Sequence, residues 1–258
     1  PGKTEYVWKN TNFAPPGKAD LIIYELLVRD FIAARNYQAL IDTLGYLQRL
    51  GINAIELMPN NEFENNESWG YNPSFHMALD KYYGTPEKFK EFVDSCHSKG
   101  IAVIADMVFN HAFGQSPLLA MYWDSANNRP AANNPWFNAV CPHPAYCWGY
   151  DFNHESQATK DFVDRVTTFW LEEYRIDGIR FDFTKGFVNA QTDFSGRMCV
   201  CLTGNRARIG RLASSPSISG IWRSMTKRSQ VRRSRVARPS RPWATASAAD
   251  VVNWRVLS

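Results

Sequence analysis

Arg180 and Asp182 are the residues of this sequence that point most directly to chemistry. They lie in Gly178-Ile-Arg-Phe-Asp-Phe183, a short run whose residue types predict a buried strand. Because they are two residues apart, the cation and the carboxylate project to the same side of that strand. Burying either charge alone is costly, so the two must be paired or used. Two interpretations stay open here: an ion pair that only stabilises the fold, or a carboxylate held for catalysis.

The elements before this strand alternate in the pattern of βα units. Apolar runs predict three earlier strands, and helical spacing predicts the helices between them. The strands are at 21–28, 52–58 and 101–108, and the helices at 37–50, 86–99 and 158–174. Such alternation indicates an α/β fold with a parallel sheet, and polar residues follow the third and fourth strands, where a (β/α)8 barrel has its active site. We predict a partial (β/α)8 TIM barrel of about four βα units over residues 20–190.

Two further regions flank or interrupt this domain. Residues 1–19, with Pro15-Pro16-Gly17, are predicted to be an entry linker. Residues 112–156, rich in Asn, Pro and Trp, form a long loop region after the third strand, and loops of this length are usually functional or small inserted subdomains. Cys141 and Cys147 lie in this loop and could form a disulfide if the protein is secreted.

The charge of the chain changes abruptly near its end. Residues 1–196 hold 16 basic and 24 acidic residues, whereas residues 197–258 hold 13 basic residues and one acid. In the Arg- and Ser-rich segment 191–258, no strand or helix pattern is convincing, so we expect an irregular basic tail. A change of reading frame explains this segment best; a basic tail that binds nucleic acid and an unrecognised fold are the alternatives. No run approaches the length of a membrane span, so we expect no membrane partner. We expect no nucleic-acid partner either, because a change of reading frame is the preferred explanation of the basic segment.

Two motifs carry a family resemblance. Asp106-Met-Val-Phe-Asn-His111 and Gly178-Ile-Arg-Phe-Asp182 resemble the first and second sequence signatures of the α-amylase (glycoside hydrolase 13) superfamily. Each stands at the end of the predicted strand where that family places it, and Trp69-Gly-Tyr-Asn-Pro73 resembles the family's second βα segment. The resemblance covers about residues 20–190. It implies the N-terminal half of a catalytic domain that cleaves or transfers α-glucosidic bonds, in starch or maltodextrins, with retention.

The resemblance also implies roles for individual residues. Asp182 would be the catalytic nucleophile, and Arg180 would keep it ionised by lowering its pKa. Asp106 would lie beneath the sugar as the structural partner of the arginine. Asp182 and Arg180 would form the catalytic part of the site, and Asp106 would belong to the substrate-binding residues.

Sugar contacts and calcium ligands follow from the same resemblance. His111 would donate a hydrogen bond to the sugar being cleaved, Tyr71 would stack on that sugar, and Lys185 would contact the neighbouring sugar. Trp69 is a further candidate substrate-binding residue. Calcium is a further expectation, with Asn110 and Asp151 as oxygen ligands. Gly186 departs from the pattern, because many calcium-dependent amylases have a His at that position.

The acid of the family is missing from the sequence. No Glu follows Glu173, although the family's general acid is a Glu after the fifth strand. We therefore expect a chain that begins mid-protein, carries the nucleophile without the acid and does not catalyse as given. We also expect it to be insoluble or molten when expressed alone, because four strands cannot close a barrel. The alternatives are a non-catalytic sugar-binding remnant and nucleic-acid binding through the tail. The cysteine pair favours an extracellular or periplasmic location.

Overall fold

The computed structural model describes residues 5–65, 68–143, 145–187 and 199–202, and it contains the helices and strands that the sequence predicts up to residue 182. The helices are α1 (Val28–Phe31), α2 (Tyr37–Arg49), α3 (Pro86–Ser98), α4 (Pro117–Ala120) and α5 (Gln157–Glu173), with 3-10 turns at Lys18–Asp20 and Thr184–Phe187. The strands are β1 (Ile23–Leu26), β2 (Ala54–Leu57), β3 (Asn61–Phe63), β4 (Pro73–Leu79), β5 (Ala102–Val108), β6 (His111–Ala112), β7 (Trp123–Asp124), β8 (Arg129–Pro130), β9 (Tyr150–Asp151), β10 (Gly178–Asp182) and β11 (Cys199–Leu202).

The main sheet has the order β1-β2-β5-β10-β11, and its first four strands are parallel. This confirms the predicted parallel sheet of four βα units. In the register of the sheet, Glu25 lies opposite Glu56, and Asp106 lies opposite Arg180. Side chains two residues apart on a strand share a face, so the register brings the charges of four strands to one side of the sheet.

The fifth strand was not predicted. Cys199–Leu202 pairs antiparallel with β10, within the segment where the sequence showed no convincing strand. Its residues, Cys-Val-Cys-Leu, are a short apolar run that can cover the edge of β10. A (β/α)8 barrel would continue with a parallel strand at this position. The rest of the predicted basic tail, residues 191–198 and 203–258, lies outside the described residues.

Local sequence explains where the helices begin and end. The Asn36 side chain accepts a hydrogen bond from the backbone of α2, and Thr85 caps α3, which begins with Pro86. Gly51 and Gly100 follow these two helices with φ of 78° and 73°, a conformation that costs glycine little. Both glycines stand where the sequence predicted the helices to stop. None of the described helices is long and apolar enough to cross a membrane.

The segment before the first strand, predicted to be a linker, is bound to α3 in the structure. The Asp94 carboxylate accepts hydrogen bonds from the backbone N–H groups of Lys9 (2.8 Å) and Asn10 (2.9 Å) and from the hydroxyl of Tyr6 (3.1 Å). The ring of Phe13 stacks on His97 at 4.2 Å between centroids. This segment is therefore part of the packed domain.

The loop region after β5 has an apolar cluster of its own. Ala112, Leu119, Phe137 and Phe152 pack together and are almost fully buried. Short antiparallel pairs, β6 with β9 and β7 with β8, organise the backbone around this cluster. Cys141 and Cys147 form a disulfide, as their position in one loop had suggested.

Candidate active site

Arg180 is the centre of the charged cluster at the ends of the parallel strands. Its guanidinium contacts the Asp106 carboxylate, lies 3.0 Å from Oδ1 of Asp182 and 3.6 Å from Oε1 of Glu56, and its Nη1 lies 3.4 Å from the hydroxyl of Tyr71. The ion pair between Arg180 and Asp182 that the sequence suggested is therefore present. One cation is shared by three carboxylates, so the site carries more negative charge than the pair of Arg180 and Asp182 alone.

The pKa values of all three acids are raised, mainly by burial of the carboxylates. Burial raises the pKa of Asp106 to about 8 and that of Glu56 to about 7, although Arg180 opposes both shifts. Burial also raises the pKa of Asp182, and it outweighs Arg180 and the backbone N–H of Phe183. Arg180 lowers the pKa of Asp182, as expected, but desolvation is the larger effect, so the net shift of that pKa is upward.

Glu56 and Glu25 are the members of this region that the sequence analysis missed. Carboxylate oxygens of Glu25, Glu56 and Asp106 lie within 4.8 Å of one another. The available signal was an acid inside each of two apolar strand runs, Ile22–Val28 and Ile52–Met58. Because Arg180 pairs with two of the three acids, its guanidinium supplies the positive charge that a cation would bring there.

Tyr71 is fixed to the cluster through its hydroxyl. That hydroxyl donates a hydrogen bond to Oδ2 of Asp106 at 2.8 Å. The preceding turn needs glycine, because a Cβ on Gly70 would lie 2.2 Å from the carbonyl oxygen of Pro59. Trp69 has a positive φ of 56° and leaves 57% of its surface exposed. The turn thus presents an anchored tyrosine and an open indole, the residues predicted to stack on sugar.

His111 is buried in a way that changes its expected role. Its Nε2 lies 2.9 Å from the carbonyl oxygen of Tyr71, so Nε2 carries a proton and donates to the backbone. Burial lowers the pKa of His111 to about 4, which keeps the ring neutral and leaves Nδ1 without a proton. Nδ1 has no hydrogen-bond partner among the described residues. The structure therefore uses the Nε2 proton of His111 to hold the backbone and buries Nδ1, whereas the sequence predicted a hydrogen bond from this histidine to a sugar.

Two buried histidines hold the end of β5 in place. Nε2 of His76 lies 2.9 Å from the carbonyl of Val108, and Nε2 of His154 lies 2.6 Å from the carbonyl of Phe109. Burial lowers the pKa values of both rings to about 4, so each neutral ring donates one hydrogen bond to the backbone. These bonds satisfy carbonyls just before Asn110, where the strand stops and its own ladder ends.

Asn110 and Asp151 have the chemistry of calcium ligands. Oδ1 of Asn110 is buried and has no hydrogen-bond partner among the described residues. Asp151 lies on β9 opposite His111, accepts a hydrogen bond from Asn138 at 2.7 Å, and has a pKa raised to about 6 by burial. An orphaned amide oxygen and a buried carboxylate are oxygen donors of the kind that a hard cation takes.

The 3-10 turn after β10 approaches Asn110 closely. A Cβ on Gly186 would lie 2.7 Å from the Cβ of Asn110, so glycine lets the turn come this near. The departure from His at this position therefore has a packing reason. Lys185 lies in the same turn, but its side chain is outside the described part of the chain.

Comparisons with known proteins agree with this geometry. The alpha amylase catalytic-domain model matches residues 34–150. The chain is 29% identical to a malto-oligosyltrehalose trehalohydrolase of Saccharolobus solfataricus, over 72% of this chain and 31% of that protein. It is 34% identical to the 1,4-alpha-glucan branching enzyme GlgB of Nitrosomonas europaea, over 70% of this chain and 26% of that protein.

A solved structure shares the fold as well. The pullulanase type I of Bacillus subtilis complexed with maltose matches with a TM-score of 0.56 and 25% identity, over 69% of this chain and 29% of that one. The chain thus spans between about a quarter and a third of the length of these relatives. With two signature motifs at the ends of β5 and β10, a parallel sheet and these matches, the chain belongs to the alpha-amylase family, whose catalytic-domain model it matches over residues 34–150.

Proposed function

We propose that this chain is the nucleophile-bearing half of a retaining glycoside hydrolase that acts on α-glucans such as starch or maltooligosaccharides. The observation that carries the proposal is the cluster of Arg180, Asp106 and Asp182 at the ends of two neighbouring parallel strands, with Tyr71 bonded to it. The relatives named above support the substrate class, since their names describe enzymes of malto-oligosaccharides and α-glucans.

In this mechanism the Asp182 carboxylate attacks the anomeric carbon of the bound sugar. A bond forms between the carboxylate oxygen and that carbon, the glycosidic bond breaks, and the leaving oxygen takes a proton from a general acid. Arg180 orients Asp182 and offsets part of its negative charge, while Asp106 orients the arginine. The sugar being cleaved rests on Tyr71, with Trp69 and Lys185 contacting the chain of sugars further along.

The acid that completes this reaction is absent from the sequence after Glu173. Proton donation contributes roughly 10²–10⁴-fold to rates of this kind. We therefore propose that the chain as given does not turn over ordinary glucans. The chain retains the residues for the first step, in which Asp182 attacks the sugar, and this step can proceed when the leaving group does not need a proton.

Calcium is part of the proposal. Asn110 and Asp151 would hold the ion, which when bound would link the loop region to the end of β5 by electrostatic attraction. The exposed disulfide of the same loop supports an extracellular or periplasmic location, because such bonds persist in oxidising compartments.

The test is to incubate the chain with α-maltosyl fluoride and measure its mass. Fluoride leaves without a proton, so Asp182 forms a bond to the anomeric carbon as the carbon–fluorine bond breaks. Without a general base to activate water, the maltosyl-enzyme should accumulate and map to the peptide that contains Asp182. The Asp182→Asn variant should show none. A wild-type chain that stays unmodified, or a variant modified equally, would remove the nucleophile from the proposal.

A sugar-binding remnant is the second candidate, and the exposed indole of Trp69 favours it. In that case maltoheptaose would quench tryptophan fluorescence in the wild type and not in Trp69→Ala, while α-maltosyl fluoride would label neither chain.

A further inference from the structure

Glu56 is an acidic residue at a position of β2 where burial favours an apolar one. All residues of Ala54–Leu57 are buried, and Glu56 itself is 2% exposed. In the register of the parallel strands it lies opposite Glu25, and like charges directly opposite each other destabilise a pair of strands. Burial of an acid also costs free energy unless the acid is paired. Residues that break local rules in this way are expected at functional or strained sites.

The cation that Glu56 contacts is Arg180. Oε1 of Glu56 lies 3.6 Å from Nε of Arg180, which is the distance of an ion pair. The contacts of Arg180 with the two aspartates of the cluster are made by a different atom, Nη1. That atom pairs with Asp106 and lies 3.0 Å from Oδ1 of Asp182. Glu56 and the aspartates therefore hold one guanidinium at two different atoms.

The second contact point matters because a guanidinium is planar and rigid. Contacts at two of its atoms fix its orientation, whereas a group held at one atom alone is free to rotate about that atom. In the observed orientation, Nη1 lies at the Asp182 carboxylate and 3.4 Å from the hydroxyl of Tyr71. Loss of the charge on Glu56 should therefore let Arg180 swing away from Asp182, while its contact with Asp106 remains.

A purely structural role does not account for Glu56. Burial raises its pKa to about 7, so above that pH the ionised side chain costs unfolding free energy. Oε2 of Glu56 has no hydrogen-bond partner among the described residues, so it offsets none of this cost. A buried residue that lowers the stability of the fold and contacts a site is typical of a trade-off between stability and activity.

We propose that Glu56 is a positioning residue for the nucleophile. It holds Nε of Arg180, so that Nη1 stays at the Asp182 carboxylate and keeps that carboxylate in the orientation for attack. The role of Asp182 as nucleophile rests on the function proposed above, whereas the contact of Glu56 with Arg180 does not. Among the described residues, the titratable and charged groups that face Glu56 are Glu25 on β1, Asp106 on β5 and Arg180 on β10.

The first measurement is the Nε–H resonance of Arg180 in the full chain labelled with nitrogen-15 arginine, assigned by its loss in Arg180→Lys. In the wild type this resonance should move as the pH rises through about 7, because Glu56 becomes ionised beside it. In Glu56→Gln that movement should be lost. Ionisation of Asp106 acts at Nη1 in both proteins, so the difference between the two titrations belongs to Glu56.

The second measurement is the rate of labelling by α-maltosyl fluoride, followed against its concentration and against pH. Glutamine resembles the protonated acid, so the wild type and Glu56→Gln should react equally fast at about pH 5.5. Above about pH 8 the variant should react about tenfold more slowly, because Asp182 is less well placed for attack. The concentration that gives half-maximal labelling should stay the same, because the sugar-binding residues are left in place.

Glu173→Gln is the matched control for this substitution. Glu173 forms an ion pair with Lys90 at 2.7 Å, and this pair joins α5 to α3 outside the site. The control variant loses an ion pair of a glutamate, as Glu56→Gln does, and should keep the wild-type labelling rate at every pH.

The outcomes separate this inference from the proposed function. A ratio of wild-type to variant rate that rises with pH, together with loss of the Nε–H titration, supports Glu56 as the positioning residue. Equal rates at every pH overturn it, as does a ratio that is the same at every pH, which marks a general structural defect. A faster Glu56→Gln also overturns it, because Glu56 would then compete with Asp182 for Arg180. If α-maltosyl fluoride labels neither chain, the proposed function fails; identical Nε–H titrations then overturn the hold of Glu56 on Arg180, and different ones support it.

Discussion

Glu56→Gln should make the protein more stable at alkaline pH and leave its stability at acidic pH unchanged. Glu56 is 2% exposed, and burial raises its pKa from 4.5 to about 7. A carboxyl group whose pKa is higher in the folded state binds more protons there than in the unfolded state. The stability it contributes is therefore fully present below pH 4.5 and is lost as the pH rises through 7.

The size of this loss follows from the shift. Each pKa unit corresponds to about 1.4 kcal/mol, so a shift from 4.5 to about 7 corresponds to about 3 kcal/mol of unfolding free energy. Glutamine resembles the protonated acid in shape and does not titrate. The wild type and Glu56→Gln should thus unfold with equal free energy near pH 4.5 and differ by about 3 kcal/mol above pH 8.

The assay is urea unfolding, followed by tryptophan fluorescence, at a series of pH values. Glu25→Gln is the matched control, because Glu25 lies opposite Glu56 in the sheet but is exposed. It should keep most of the wild-type pH dependence. Parallel curves for the wild type and Glu56→Gln across this range would show that Glu56 is ionised at neutral pH, and the account of one cation shared by several acids would fail.

Two further predictions concern the surroundings of the site. Asp94→Ala should cost about 2–3 kcal/mol of unfolding free energy, because the four hydrogen bonds that its carboxylate accepts from Tyr6, Lys9 and Asn10 are lost, and should expose the segment before Phe13 to proteases. An undiminished denaturation midpoint would show that the segment is only a linker. Calcium should raise the melting temperature of the wild type, chelation should reverse the change, and Asn110→Ala should abolish it; an equal rise in the variant would place any bound ion elsewhere.

The sequence predicted most of the sheet, because the periodicity of apolar residues is a local signal. The four parallel strands and the three long helices lie within a few residues of their predicted bounds. The strand at Cys199–Leu202 was missed because four apolar residues in a basic segment give too short a pattern to separate from chance. The attachment of Tyr6 and Lys9 to Asp94 was missed because it joins residues more than 80 positions apart.

The sequence predicted which residues form the site, but it predicted their pKa values and protonation states less well. Each motif contributes one of the two residues Asp106 and Arg180, and the two are register partners on the neighbouring strands β5 and β10. Burial cannot be read from the sequence, so the upward effect of desolvation on the pKa of Asp182, which outweighs the lowering by Arg180, was not predicted. The proton of His111 depends on the carbonyl of Tyr71, a contact 40 residues away that no local pattern encodes.

Under the proposed function, nucleophilic attack and proton donation belong to the same first step but act on different atoms. Arg180 contacts both Asp182 and Asp106, and all three residues lie in the described part of the chain. A general acid acts on the leaving oxygen and not on the nucleophile. If no general acid is available, reaction with ordinary glucans should be suppressed, while attack on a glycosyl fluoride should still depend on Asp182. A ratio of the fluoride rate to the glucan rate far above that of a complete enzyme would show that the nucleophile is correctly positioned.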